Sequence, residues 1–464
     1  MEMMRSTARA GAFLLACAFL LTAGCGGGGS SPDNDPTTPP EVIAFTADTT
    51  SPFVGDSVRL SAMFRGAAGR IEPGLGTVTS GQILTSPVID RDISYQLIVE
   101  SPGLPNASRT LAISPRFRDR YAVMPGRFAG SQLAAVAAAD GTVLLIGGSR
   151  GEPTLSDAID RFDPRTGLFT RVGKLAGGRA LHRALRLPDG RILVSGGVTS
   201  DGDGRRVELI DERTATVANT GPMSVPRVDH AALLLPDGRV LVTGGSTTGE
   251  LPRKAISDTA ELWEPTTQTF RRVTQRMSVS RAAHTMTLLA DGRVLIVGGY
   301  SVGTGYRFAE IFDPRDERFT PLAAPLALRA NHAAHAQPDG RVLILGGETL
   351  DATTQAIVPL ASVLRFDPVA SAFTELAPLA APRTVAGTAL LPSGQVLLFG
   401  GQHDPSRNSG SAERYDSASG SQPIASLDGE RAWHSVTRLA SGRILIAGGE
   451  ATGGAYAATA LVYE

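Results

Sequence analysis

Cysteine is nearly absent. The chain of 464 residues holds two, Cys17 and Cys25, so everything after residue 25 is barred from disulfides, thiolate metal sites and cysteine nucleophiles. Charge of either sign is scarce too: charged residues are 19% of the chain and the formal net charge is -1. That balance excludes a partner held by phosphate neutralisation, which needs a basic stripe, so no nucleic acid is expected. Aromatic residues make up only 5%. Neither a Gly-x-Ser-x-Gly nucleophile elbow nor a His-Glu-x-x-His zinc helix occurs. Glycine, in contrast, is plentiful at 53 residues, with 30 prolines. The two together stay below the roughly 25–30% of a low-complexity chain, which points to a repeated backbone feature that needs Gly.

The first residues read as a secretory leader. Arg5 and Arg9 precede an apolar run from Gly11 to Leu21, too short for a membrane span of about 20 residues. The run ends in Thr22-Ala23-Gly24-Cys25, which resembles a bacterial lipobox, with Thr22 where that family usually has Leu. The resemblance implies a signal peptide over 1–24 and a lipid on Cys25 as the membrane anchor. Gly26 after the cysteine, where retention in the inner membrane would usually bring Asp, implies the outer membrane, facing the periplasm or the surface. Residues 25–40 are rich in Gly and Ser and then in Pro, the composition of a solvated tether.

Over 41–115, short alternating runs such as Val58-Arg59-Leu60-Ser61-Ala62-Met63-Phe64 and Tyr95-Gln96-Leu97-Ile98-Val99 are separated by Gly, Pro, Asn and Asp. They predict the strands of a small sandwich. The order of Val54-Gly55-Asp56-Ser57-Val58-Arg59-Leu60 and then Ser94-Tyr95-Gln96-Leu97-Ile98-Val99 resembles bacterial immunoglobulin-like domains, which implies a spacer.

Residues 116–464 repeat with a period of roughly 50. Apolar strands end in glycine doublets at Gly147-Gly148, Gly196-Gly197, Gly244-Gly245, Gly298-Gly299, Gly346-Gly347, Gly400-Gly401 and Gly448-Gly449. Each doublet follows a hairpin turning at Asp-Gly or Ser-Gly, as in Leu235-Pro236-Asp237-Gly238. A third strand then ends near an aromatic (Phe162, Trp263, Phe312, Phe366, Tyr415, Tyr463), with Ile210 once. A fourth carries Phe169, Phe270, Phe319 or Phe373. Together these features resemble the kelch repeat. The implied fold class is all-β, a seven-bladed kelch-type β-propeller preceded by a small immunoglobulin-like β-sandwich. The last copy stops after its third strand, and Phe117 lies ten residues before Arg127, the spacing of Phe169 to Arg179. Residues near Phe117 to Val123 are therefore expected to supply the missing fourth strand.

Every copy is read as beginning with Arg: Arg127, Arg179, Arg227, Arg281, Arg329, Arg383 and Arg431. Five continue as Arg-x-x-His, giving His182, His230, His284, His332 and His434. Because this pattern belongs to the kelch repeat it resembles, a structural role is expected for both. Acidic residues two before the third-strand aromatic position (Asp160, Glu208, Glu261, Glu310, Glu413) are candidate ion-pair partners, and Leu364 and Leu461 break the series. Candidate ligand contacts are the residues that depart from the repeat on the face of the variable loops, which are longest from Gly245 to Trp263 and from Gly347 to Phe366: Asp229, Tyr300, Asn331, His403, Asp404, Trp433 and His434. An aromatic among amides and carboxylates suits a sugar. Kelch propellers include copper radical oxidases of the galactose-oxidase kind, whose cofactor joins a Tyr to a Cys. With no Cys beyond Cys25, that chemistry is excluded, and no metal or other cofactor is expected. The expected function is a non-enzymatic binding module for glycan or envelope protein. A hydrolase or lyase acting on carbohydrate through carboxylates such as Asp229 or Asp404 near His is the alternative.

Overall fold

The computed structural model describes residues 39–125, 130–150, 154–248, 255–301, 309–322, 328–351, 353–354, 356–457 and 459–464. The leader, nearly all of the tether, both cysteines and Arg127 lie outside the described residues. Within them the chain forms strands and turns and no helix, hence no helix long and apolar enough to cross a membrane.

Period-two alternation puts every second residue of the early strands into one core. Glu41–Ala47, Arg59–Arg65 and Ile83–Thr85 form one sheet; Gly76–Val78, Ala68–Glu72, Ile93–Glu100 and Ala107–Ile113 form the other. Phe45, Leu60, Phe64, Ile71, Tyr95, Leu97 and Ile113 pack between them, so this segment is a two-sheet sandwich.

The remaining strands form seven four-stranded antiparallel sheets, the blades of a β-propeller, and three two-stranded pairs beside them. The second strand of each blade is buried on both sides, and its alternate residues face opposite neighbours. In blade 1, Val143 and Leu145 pack with Leu445 and Val462 of blade 7, while Leu144 and Ile146 pack with Ile192 and Val194 of blade 2. Five further cores join the other neighbours around the circle. No blade has a solvated face, so none is stable without its neighbours.

Blade 7 is completed from the other end of the propeller segment. Tyr121–Met124 pairs antiparallel with Ala460–Tyr463, Tyr121 opposite Tyr463. The clasp thus lies within the expected segment, but the aromatic opposite Tyr463 is Tyr121, where the spacing singled out Phe117. Phe117 instead stacks on the Tyr463 ring at 5.0 Å. The Tyr463 hydroxyl donates to Asp119 at 3.0 Å, the Tyr121 hydroxyl to the Ala425 carbonyl at 2.7 Å, and Arg120 pairs with Glu464 at 2.7 Å.

The sandwich rests on the hairpin side of blade 7. Arg438 donates to the Asp90 carboxylate and carbonyl, both at 3.0 Å, and Gly442 lies against Val54 and Asp90. The connecting chain is pinned by Arg116 and Arg118, stacked over the Phe53 ring at 4.6 and 4.5 Å.

Closure through the clasp separates two truncations. A chain starting at residue 116 keeps Tyr121–Met124 and should melt cooperatively; one starting at residue 127 should melt at least about 3 °C lower or fail to melt as one unit, because about 2 kcal/mol or more of edge pairing and aromatic packing is lost from a ring of this size. Calorimetry of the two chains checks this, and equal melting temperatures would refute it.

Candidate functional site

The inner end of each blade is built from the Arg-x-x-His and glycine-doublet residues. The arginine guanidinium, buried, donates to the carbonyl of the first doublet glycine of its own blade: Arg227 to Gly244 and Arg281 to Gly298, each at 2.6 Å, and Arg329 to Gly346 and Arg383 to Gly400, each at 2.8 Å. Glu261, Glu310 and Glu413 pair with Arg227, Arg281 and Arg383 at 2.8, 3.0 and 2.7 Å, and Glu208 pairs with Arg179. Where leucine replaces the acid, the hydroxyl contact that Arg227 and Arg383 also make, to Thr259 and Ser411, is kept: Ser362 for Arg329 and Thr459, at 3.1 Å, for Arg431. Burial pushes the Arg329 pKa down to about 10, leaving it charged at neutral pH.

Each histidine is wedged between two doublets. An added Cβ on Gly147, Gly196, Gly244 or Gly298 would meet the ring of His182, His230, His284 or His332 of the following blade. A Cβ on Gly347, at φ +91°, would lie 2.7 Å from the His332 Cβ and 2.6 Å from the Ala330 carbonyl oxygen. Only glycine fits there. His230 bonds Ser195 at 2.9 Å, His284 bonds Thr243 at 2.7 Å and His332 bonds Thr285 at 2.8 Å.

Blade 1 departs from the expected repeat. The position taken by arginine in the other six is held by Gly130: its carbonyl accepts from Gly449 at 2.8 Å, as the Arg179 carbonyl accepts from Gly148. Leu133 takes the histidine position, beside Gly148 and Gly448. Arg127 therefore stands three residues ahead of the repeat position, outside the described residues, and Asp160 pairs with Arg171 at 2.7 Å. Tyr121 precedes Gly130 by nine residues, which explains the shifted clasp.

Midway between the arginine and histidine positions every blade carries one residue of positive φ: Gln132, Leu181, Asp229, Ala283, Asn331, Val385 and Trp433, with φ between 48° and 58°. Their backbones form a closed circle. Gln132 donates its N–H to the carbonyl of Trp433, Trp433 to Val385, Val385 to Asn331, Asn331 to Ala283, Ala283 to Asp229, Asp229 to Leu181 and Leu181 back to Gln132, at 2.9 to 3.4 Å. All seven line a cavity of about 250 Å³ on the axis, together with Arg183, Thr285, His182, His284, His332 and His434.

The structure thus gathers Asp229, Asn331, Trp433 and His434 at one mouth. Tyr300 joins from the side: its hydroxyl and the Asn331 amide, the latter at 2.8 Å, donate to the same oxygen of buried Glu348. His403 and Asp404 stand apart on a side hairpin of blade 6, where His403 meets Ser411 at 3.3 Å and Asp404 accepts from Ser406. Sequence reasoning missed Glu348, Gln132 and Arg183. Glu348 directly follows a doublet, as Tyr300 does. Arg183 follows His182, where the other blades have Ala134, Ala231, Thr285, Ala333, Gly387 and Ser435.

With the geometry described, the comparisons can be placed. Residues 132–176 match the family model described as the Kelch motif. No curated protein matches the chain in sequence. Similar solved structures include YjhT, at 14% identity and TM-score 0.48 over 61% of this chain and 94% of that one. A fungal alcohol oxidase of the AA5 family, in complex with copper, is 15% identical at TM-score 0.61, over 74% of this chain and 76% of that one. Together the motif and the likeness to the oxidase show the fold, a kelch-type β-propeller. Among the described residues no group of three or more His, Cys, Asp or Glu could hold a metal ion.

Burial, and next to it the neighbouring arginines, lowers the pKa of His182, His332 and His434 from 6.5 to about 3 and that of His230 and His284 well below 6.5. Burial alone lowers His335 to about 4. These imidazoles are neutral in the fold and take protons only on unfolding. Their contribution to stability is complete above about pH 6.5 and is lost as the pH falls towards 3, at up to about 1.4 kcal/mol per pH unit for each ring. At pH 5, unfolding is expected to take up more than about four protons, measured from calorimetric enthalpies in buffers of different ionisation heat. An uptake below about two would contradict burial of the neutral rings.

Proposed function

We propose that this protein is a non-enzymatic binding module of the bacterial cell envelope, held by a lipid on Cys25 at the outer membrane and taking a glycan or a protein at the axial mouth. The immunoglobulin-like reading of the sandwich makes it the spacer between the 25–40 tether and the propeller. The carrying observation is the circle of seven residues of like backbone and unlike side chain. One scaffold presents an indole, two amides, a carboxylate and three apolar groups around a single opening. Trp433 is half-buried, and the apolar face of its ring beside Asn331 and Gln132 suits the alternation of C–H faces and hydroxyls on a sugar. The sandwich supports this reading as well, because its contacts fall on the hairpin side of blade 7 and leave the mouth uncovered. The function of a kelch propeller is generally one of binding, and the candidate acid Asp404 is engaged by its own turn.

A glycan array, followed by turnover assays on every hit and by affinity capture from envelope extracts, tests the proposal. Saturable binding without turnover, lowered about tenfold or more by Trp433→Ala, is the expected result. Cleavage of a bound glycan would overturn it in favour of an enzyme, and so would binding that Trp433→Ala leaves intact.

A further inference from the structure

Six of the seven blades put a small residue directly after the histidine position at the inner end of the first strand: Ala134, Ala231, Thr285, Ala333, Gly387 and Ser435. Blade 2 puts Arg183 there. Its Nε donates to the His230 carbonyl at 2.8 Å, which fixes the guanidinium plane across the boundary between blades 2 and 3. Among the described residues its two Nη nitrogens meet no acceptor and no carboxylate pairs with it, whereas the Nη nitrogens of the repeat arginines Arg227, Arg329 and Arg383 meet carbonyl, hydroxyl or carboxylate oxygens. The side chain lines the axial cavity, and the six small neighbours leave that space open.

A guanidinium held at Nε and open at Nη is shaped to take a planar carboxylate through two parallel hydrogen bonds. The cavity of about 250 Å³ is smaller than the roughly 300–1,000 Å³ of common ligand clefts, so it admits one ring-sized group. Asp229, a buried carboxyl on the neighbouring blade, lines the same mouth, which is a poorer setting for a multiply charged anion such as phosphate than for a single carboxylate. Asn331 and Gln132 offer amides for hydroxyls, and Trp433 offers a flat apolar face.

We propose that the axial mouth takes a sugar acid, a pyranose bearing one carboxylate, with Arg183 recognising the carboxylate and Trp433 the ring. This rests on the reading of the mouth as a glycan site and narrows it to acidic sugars.

The chain has two tryptophans. Trp263 is fully buried in the blade 2/3 core, so ligand-dependent changes in fluorescence report Trp433. Titration of the full-length protein with glucuronate, glucose and inorganic phosphate should show glucuronate binding about tenfold or more tighter than the other two. Arg183→Met should erase that preference with the melting temperature unchanged within about 2 °C, and Arg183→Lys should keep part of it, since the charge stays and the fork is lost. Equal affinity for glucose and glucuronate, or no effect of Arg183→Met on glucuronate, would overturn the proposal while leaving a neutral glycan site standing. Phosphate binding as tightly as glucuronate would overturn it in favour of a bare anion site. No response to any sugar, together with capture of a protein through Trp433, would overturn both this inference and the glycan reading. Should Arg183→Met fail to fold, the Arg183→Lys titration alone decides: undiminished preference for glucuronate over glucose refutes the two-point contact.

Discussion

At the inner end of every blade there is no room for a side chain. Where the next blade carries the repeat histidine, the first doublet glycine lies under its ring and beside the backbone of its arginine, and the second doublet glycine lies against the histidine of its own blade, or against Leu133 in blade 1 and Ala386 in blade 6. This close approach sets the distance between neighbours, and what surrounds it follows. The glycine carbonyl is turned inward, where burial without a partner would be costly, and the arginine caps it. A buried guanidinium needs anionic or strongly polar oxygens of its own, and it finds them in Glu208, Glu261, Glu310 and Glu413 or in the hydroxyls of Ser362 and Thr459. Between the arginine and histidine positions, including those held by Gly130 and Leu133 in blade 1 and by Ala386 in blade 6, the backbone turns within two residues. It does so by placing one residue per blade at positive φ.

Periodicity alone made much of this legible. Seven doublets, the hairpin turns before them and the aromatics after them are local features with fixed spacing. The register of the clasp was not legible. Blade 1 has lost both arginine and histidine, so Arg127 looked like the start of a repeat that Gly130 and Leu133 begin. The axial circle was hidden for a different reason. Positive φ favours Gly, Asn and Asp, yet the circle contains Leu181, Val385 and Trp433, because the backbone hydrogen bonds to the neighbouring blades hold the conformation whatever the side chain. Arg183 escaped notice because sequence reading looked for departures within Arg-x-x-His and not one residue beyond it.

Two different demands meet at this circle. Its backbone is uniform because ring closure requires it, and its side chains are free to differ because they point to no neighbouring core. A backbone that tolerates any side chain is a platform on which recognition varies without cost to the fold. The candidate contacts that lie on the circle, Asp229, Asn331 and Trp433, share one opening, whereas His403 and Asp404, which lie off it, do not.

The seven inner ends form one closed, mutually dependent circle of hydrogen bonds. Native-state hydrogen exchange at the amides of Gln132, Leu181, Asp229, Ala283, Asn331, Val385 and Trp433 tests it directly. If the circle is closed, all seven exchange with a common opening free energy close to that of global unfolding. Exchange of these amides at separate, loop-like rates would contradict the account.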